Sequence, residues 1–208
     1  MGCYRRAHTG IVTAFMTMSP TQDEIDLEHT TSDGTDFETN SFWNVAKYAA
    51  QYGSASAEKT VKKKLPPGFN VADWHTYTIE WTPSAITWSV DGNPVRTLTR
   101  KSTRASHGPR AGLYQYPATP SRIQVSLWDA GNSDNAEGTR QWAGGHPDWS
   151  HPDDAATGAF TAEISSLSIR CADPATLQGN GHAYDFSHAV DPSTGEPTVI
   201  TSSRSTQV

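Results

Sequence analysis

The chain of 208 residues sets 22 acidic side chains against 16 Lys and Arg, a formal net charge of −6 at pH 7. That balance argues against a nucleic-acid partner, because phosphate binding wants a basic surface, and the length suits one domain with a real core. With 18% charged residues, 7 Trp, 16 Gly and 13 Pro, the composition fits an all-β domain with many turns and an aromatic-lined cleft better than a helical bundle.

The first six residues, Met1-Gly2-Cys3-Tyr4-Arg5-Arg6, lack the apolar run of a signal peptide, and Arg6 stands where a myristoylation motif needs Ser or Thr. No export signal is therefore expected in the chain as written, and no segment reads as a transmembrane helix. Cys3 and Cys171 lie near opposite ends of the patterned region. Two cysteines allow a pair but establish neither the pair nor the compartment.

Residues 10–19 (GIVTAFMTMS) are apolar and rich in β-branched side chains, so they read as a strand buried on at least one side. Ser19-Pro20-Thr21-Gln22 is a turn, and the stretch after it, Asp23-Glu24-Ile25-Asp26-Leu27-Glu28, alternates strictly. In an extended chain successive side chains point to opposite faces, so Glu24, Asp26 and Glu28 share one face while Ile25 and Leu27 share the other. Burying the aliphatic face is ordinary. Three acids in a row raise one another's pKa and repel.

Two readings of that acidic face stand at this level. One is glycoside chemistry, where a retaining glycosidase sets a nucleophilic carboxylate and a protonated acid/base about 5–5.5 Å apart. Alternate residues on a strand face sit roughly 6.5–7 Å apart at the Cα, and Glu24 and Glu28 roughly twice that, a gap that flexible Glu side chains on a twisted, curved strand can close over a sugar ring, with Asp26 able to hold its neighbours. The other is an exposed acidic face, with or without a bound cation such as Ca²⁺.

Residues 37–45 (FETNSFWNV) read as the next strand and place the Asn40 amide beside the same cleft. The pattern then fades, and Lys62-Lys63-Lys64 ahead of Pro66-Pro67-Gly68 is expected to be a solvated loop. Two strands follow, 74–81 (WHTYTIEW) and 85–90 (AITWSV), the second ending in a turn at Asp91-Gly92-Asn93-Pro94 that residues 95–98 continue as a hairpin. His75, Tyr77, Ile79 and Trp81 share a face, and a lone His in such a row is more often a hydrogen-bonded structural residue than a base. In residues 122–129 (RIQVSLWD) Ile123, Val125 and Leu127 are expected to face the core, which leaves Arg122, Gln124, Ser126 and Trp128 on the other face. A Trp on a polar strand face serves either as a sugar-stacking platform or as an anchor for a loop. Residues 130–148 are expected to form a long binding loop carrying Trp142, and residues 160–169 (FTAEISSLSI) a last strand. Beyond residue 173 the chain is rich in Gly, Ser, Thr and Pro and reads as a poorly ordered tail, so the expected division is a domain over 1–172 and a tail over 173–208.

Together these segments resemble glycoside hydrolase family 16, and within it the fungal Crh-type cell-wall transglycosylases that join chitin to glucan. The resemblance is carried by residues 10–19 running into Asp23-Glu24-Ile25-Asp26-Leu27-Glu28, by residues 74–82 (WHTYTIEWT), by residues 86–92 (ITWSVDG), and by Tyr116-Pro117 through Trp142-Ala143-Gly144-Gly145. It implies a concanavalin-like β-jelly-roll sandwich of two curved antiparallel sheets with a cleft across the concave face. It also implies Glu24 as nucleophile, Asp26 as assisting residue and Glu28 as acid/base, with Asn40, Trp128, Trp142, Tyr77 and Gln124 as the substrate-binding set.

No cofactor and no metal are implied; the partners would be a polysaccharide donor and acceptor, chitin or β-glucan, and the setting extracellular, at the cell wall. Family members carry an export signal and several strands ahead of the residue-10 strand, so the chain is expected to be N-terminally truncated, with unpaired edges and exposed apolar surface. Leu27 stands where the fungal enzymes tend to carry an aromatic, on the face turned away from the acids. A carbohydrate-binding jelly roll without turnover and an inactive fragment are the alternatives to an enzyme. Intact Glu24 and Glu28 argue against the first, because a pure binder does not need both acids.

Overall fold

The computed structural model describes residues 3–4, 9–30, 36–43, 61–64, 69–71, 73–108, 110–151, 155, 157–170, 183–185 and 200–202. In chain order the strands are β1 (Cys3–Tyr4), β2 (Ile11–Met18), β3 (Glu24–Thr30), β4 (Asp36–Phe42), β5 (Val61–Lys64), β6 (Tyr77–Trp81), β7 (Ala85–Val90), β8 (Asn93–Thr99), β9 (Arg122–Asp129), β10 (Ala162–Glu163), β11 (Ala183–Asp185) and β12 (Ile200–Ser202). Among the described residues an α-helix, α1 (Glu137–Trp142), lies between β9 and β10.

Five strands form an antiparallel sheet in the order β5-β4-β3-β2-β9, and β6-β7-β8 form a second antiparallel sheet. The acidic strand is thus central, paired with β2 on one side and β4 on the other. The core lies between the sheets. Ile25, Leu27 and Phe37 from the first meet Ile86, Trp88 and Val90 from the second, with Tyr116 completing the cluster. This is an all-β sandwich, in keeping with the alternation in β3 and β7: Ile25 and Leu27, and Ile86, Trp88 and Val90, turn one face of each strand into the core. The hairpin between β7 and β8 turns on Asp91 and Gly92, at φ of 51° and 76°. Asp-Gly tolerates that left-handed pair, whose twist matches the strands it joins.

Several elements differ from the sequence expectation. Lys62-Lys63-Lys64 is part of a strand, not a loop: β5 pairs antiparallel with β4, with Lys62 opposite Glu38 and Lys64 opposite Asp36 in the backbone register. Residues 137–142 form a helix inside the stretch expected to be all loop. Val125 lies on the core side, in register with Phe15 and Leu27, but is 39% exposed rather than buried, since β9 is an edge strand and the buried cluster draws on β3 and β4 instead. Of residues 160–169 only Ala162–Glu163 pairs, with Cys3–Tyr4, and the flanking residues are exposed. Within the stretch read as a tail, β11 and β12 pair with each other. Cys171 lies outside the described residues. No helix among the described residues is long and apolar enough to cross a membrane.

Candidate active site

Strand β3 delivers its side chains as the alternation demands. Ile25 and Leu27 are 0% and 2% exposed on the core side, while Asp26, at 1%, is sealed between half-buried Glu24 and Glu28 on the other. Antiparallel partners share a face, so the register extends this acidic face across four strands. Glu24 lies between Phe42 and Met18, Asp26 between Asn40 and Met16, and Glu28 between Glu38 and Ala14. Continuing through β2, Met16 leads to Gln124, Ala14 to Ser126 and Val12 to Trp128.

The start of β3 is fixed by Asp23, the first acid of the run. Its buried Oδ2 accepts hydrogen bonds from the Ala118 and Thr119 backbone amides at 2.9 and 3.1 Å and from the Thr119 hydroxyl at 2.8 Å. That carboxylate therefore clamps a loop instead of facing the cleft, and the three acids after it form the site.

Burial and mutual repulsion separate their protonation. Burial, then the charges of Glu28 and Glu24, push Asp26 from the ordinary 3.8 up to about 9, against the opposing pull of Arg96 and a backbone hydrogen bond from Asn40. Glu28 rises to about 7, first through burial and then through the charges of Glu24 and Glu38. Burial also raises Glu24. Near neutrality the central acid is protonated, and a carboxyl titrating near 7 suits both donation to a leaving oxygen and return of that proton. Asp26 Oδ1 is buried with no hydrogen-bond partner among the described residues. Also among the described residues, no group of three His, Cys, Asp or Glu side chains is arranged to hold a metal ion.

The sequence profile of glycosyl hydrolases family 16 matches residues 3–144, more than half of the chain. The chain belongs to glycosyl hydrolases family 16. It is 42% identical over 180 residues to Crh-like protein 2 of Aspergillus fumigatus, covering 85% of this chain and 38% of that relative. To Congo red hypersensitive protein 2 of Saccharomyces cerevisiae it is 33% identical over 165 residues, covering 79% of this chain and 32% of the relative. The chain therefore spans well under half of the length of these two. Among solved structures, apo Crh5 transglycosylase matches with a TM-score of 0.54 at 33% identity, over 72% of this chain and 55% of that one. The same enzyme bound to NAG matches with a TM-score of 0.52 at 34% identity, over 72% and 56%. The jelly-roll fold expected of the family is the fold found.

Of the residues singled out by resemblance to family 16, the register brings Glu24, Asp26, Glu28 and Asn40 together on adjacent strands. Asn40 Oδ1 accepts from the Ser41 amide at 2.8 Å, which fixes the orientation of its side chain. Gln124 is on the same face and exposed, two strands from Asp26. Trp128 is on that face beyond the Glu28 row, and its ring lies 6.2 Å from that of Trp142 on α1. The two pack over Val12, Ala130 and Ala143. What holds α1 there is a close backbone approach. The Gly10 amide bonds the Ala143 carbonyl and the Gly131 amide bonds the Gly10 carbonyl, each at 2.8 Å. A Cβ on Gly10 or Gly131 would collide with the Gly145 carbonyl.

Tyr77 is the exception and corrects the expected set. It belongs to the second sheet and packs into the core, its ring 5.2 Å from that of His29. His29 shares the Ile25–Leu27 side of β3, so Tyr77 is separated from the acids by the thickness of a sheet. His75 is likewise structural, bonded to Asp91 and to the Asn70 carbonyl and stacked on Phe69. Sequence reading missed Glu38, buried and directly across from Glu28. The signal was available: period two in residues 37–45 places Glu38 on the Asn40 face.

Proposed function

We propose that the protein is a retaining glycosidase and transglycosylase acting on β-linked cell-wall polysaccharide. The observation that carries this reading is the row Glu24–Asp26–Glu28 on the face of a central strand, with the middle acid protonated near neutrality and Glu28 titrating near 7. Glu24 would attack the anomeric carbon while Glu28 protonates the departing glycosidic oxygen, leaving a glycosyl ester on Glu24. Glu28, now ionised, would take the proton from the incoming hydroxyl, and the ester bond breaks as the new glycosidic bond forms. Water in that role gives hydrolysis; a sugar hydroxyl gives transfer. Protonated Asp26 would donate a hydrogen bond to the neighbouring carboxylate and hold the nucleophile in its anionic form.

Chitin and β-glucan are the donor and acceptor proposed, in keeping with the Crh-like relatives and with NAG held by Crh5 transglycosylase, and the cell wall is the proposed setting. Trp128 would stack a sugar ring, with Asn40, Gln124 and Trp142 bordering the cleft.

The test is incubation with a chitin oligosaccharide donor and a fluorescent glucan oligosaccharide acceptor, beside Glu24→Gln. Labelled, lengthened product from wild type alone is expected. Shortened donor without labelled product would reduce the reading to a hydrolase, and binding without turnover by a cooperatively melting protein would replace it with a carbohydrate-binding domain.

A further inference from the structure

The acids are held from behind as well as from their own strand. Trp88, on β7 of the second sheet, is fully buried, and its indole N–H donates to the backbone carbonyl of Asp26 at 2.8 Å. The β7–β8 register shifts between Trp88 and Ser89, a bulge of the kind that re-aims a side chain. Opposite Trp88 on β8 is Arg96, whose guanidinium lies 4.5 Å from the centre of the Trp88 ring. Arg96 Nη1 in turn donates to the carbonyl of Thr39 and, at 3.0 Å, to its hydroxyl. Thr39 precedes Asn40, the residue paired with Asp26. Two neighbouring side chains of one sheet thus grip the backbones of two adjacent strands of the other, β3 at Asp26 and β4 at Thr39, next to Asn40.

Packing alone does not require this arrangement. A buried indole needs some acceptor, and a half-buried guanidinium still presents several donors to satisfy. Here the indole reaches the backbone of the central acid, and the guanidinium reaches both the backbone and the hydroxyl of the residue beside its partner. Arg96 is also the cation that draws Asp26 toward ionisation, and burial lowers its own pKa only to about 10, so it is charged at neutral pH.

We propose that Trp88 and Arg96 are positioning residues for the glycosidase centre, a brace behind the sheet that fixes where Asp26 sits relative to Glu24, Glu28 and Asn40. Neither touches substrate, since both approach from the core side. The inference rests on the glycosidase reading for its kinetic consequence but not for its geometric one. The groups around Asp26 are Glu24 and Glu28 on its own strand, Asn40 on β4 with Glu38 beyond it, Met16 on β2, and Arg96 from β8.

The test uses the full chain with W88F, which keeps the aromatic volume and deletes the N–H, together with R96K, which keeps the charge, and R96M, which does not. Each is read by thermal melting, by kcat and KM in the donor–acceptor assay, and by ¹³C-carboxyl NMR titration of Asp26. W88F is expected to melt cooperatively, to hold KM within about threefold and to lose kcat about five- to tenfold, the worth of one buried hydrogen bond. R96M is expected to move the Asp26 titration to higher pH, and R96K to restore it. Melting temperatures that fall while kcat and the Asp26 titration stay at wild-type values would overturn the proposal and leave two core residues. Absence of turnover by wild type would instead overturn the glycosidase reading. The Asp26 titration would then decide the brace alone, an unchanged value in both R96M and W88F sinking it. If R96M fails to melt cooperatively, W88F carries the decision: kcat and the Asp26 titration both at wild-type values sink the proposal.

Discussion

The two faces of β3 are built from alternate residues of one seven-residue strand, yet they have opposite energetics. Behind, Ile25 and Leu27 are sealed among Phe37, Ile86, Trp88 and Val90, each aliphatic worth about 1.5–3 kcal/mol when fully buried. In front, Glu24, Asp26 and Glu28 stand at every second position with Glu38 beside them, and each of the three is raised in pKa by burial. The aliphatic face stabilises the strand against the destabilisation on the acidic one. The backbone between the faces couples them, since the strand can present its acids only where its core side chains fix it.

Breaking either face separately sharpens that contrast. The largest effect is expected at Glu28: Glu28→Gln should lower kcat by about 10²–10⁴-fold with a sugar leaving group, the range for loss of general acid catalysis. The loss should shrink for an activated aryl glycoside, whose departure needs no proton. The melting temperature should hold or rise, because one repelling charge is gone. The opposite pattern is expected behind the strand. Leu27→Ala should cost about 2–5 kcal/mol in chemical denaturation, and the surviving folded fraction should keep the wild-type pH profile.

A smaller effect is a pH dependence of stability set by the front face. Asp26 and Glu28 titrate at about 9 and about 7 when folded, against ordinary values of 3.8 and 4.5. Between those limits the folded state binds more protons than the unfolded one, so stability must fall as pH rises from about 4 to about 9. Melting curves across that range should show the decline, and Asp26→Asn should flatten it; a rise in stability with pH would contradict the burial of these acids. The smallest effect is expected at Glu38. Its charge helps to raise Glu28, so Glu38→Gln should let Glu28 ionise earlier and move the alkaline limb of activity to lower pH, by less than about one unit. An unmoved limb would mean that Glu38 serves another purpose on this face.

Much of this was legible in the sequence, because the period of an extended chain is two and needs no tertiary information. Glu24, Asp26 and Glu28 on one face, Ile25 and Leu27 on the other, and Asn40 on a following strand could be read directly, as could the Asp91-Gly92 hairpin. The five ordered motifs added the family. What alternation does not carry is which sheet a strand joins and whether it is central or at an edge. Tyr77 was therefore assigned to the cleft although β6 packs behind it, and Val125, on the core side as expected, is left exposed because β9 ends its sheet. Lys62 to Lys64 read as loop because their strand exists only through backbone pairing with β4, a segment far earlier in the chain. The clamp by Asp23 on Thr119 and the brace by Trp88 and Arg96 on Asp26 and Thr39 also join residues far apart in the chain. By itself the sequence determined the acid triad and the faces of its strands. Only the tertiary structure decided what lies behind those acids and how far their protonation moves, since burial and the charges that face a group belong to the packed fold and not to any stretch of chain.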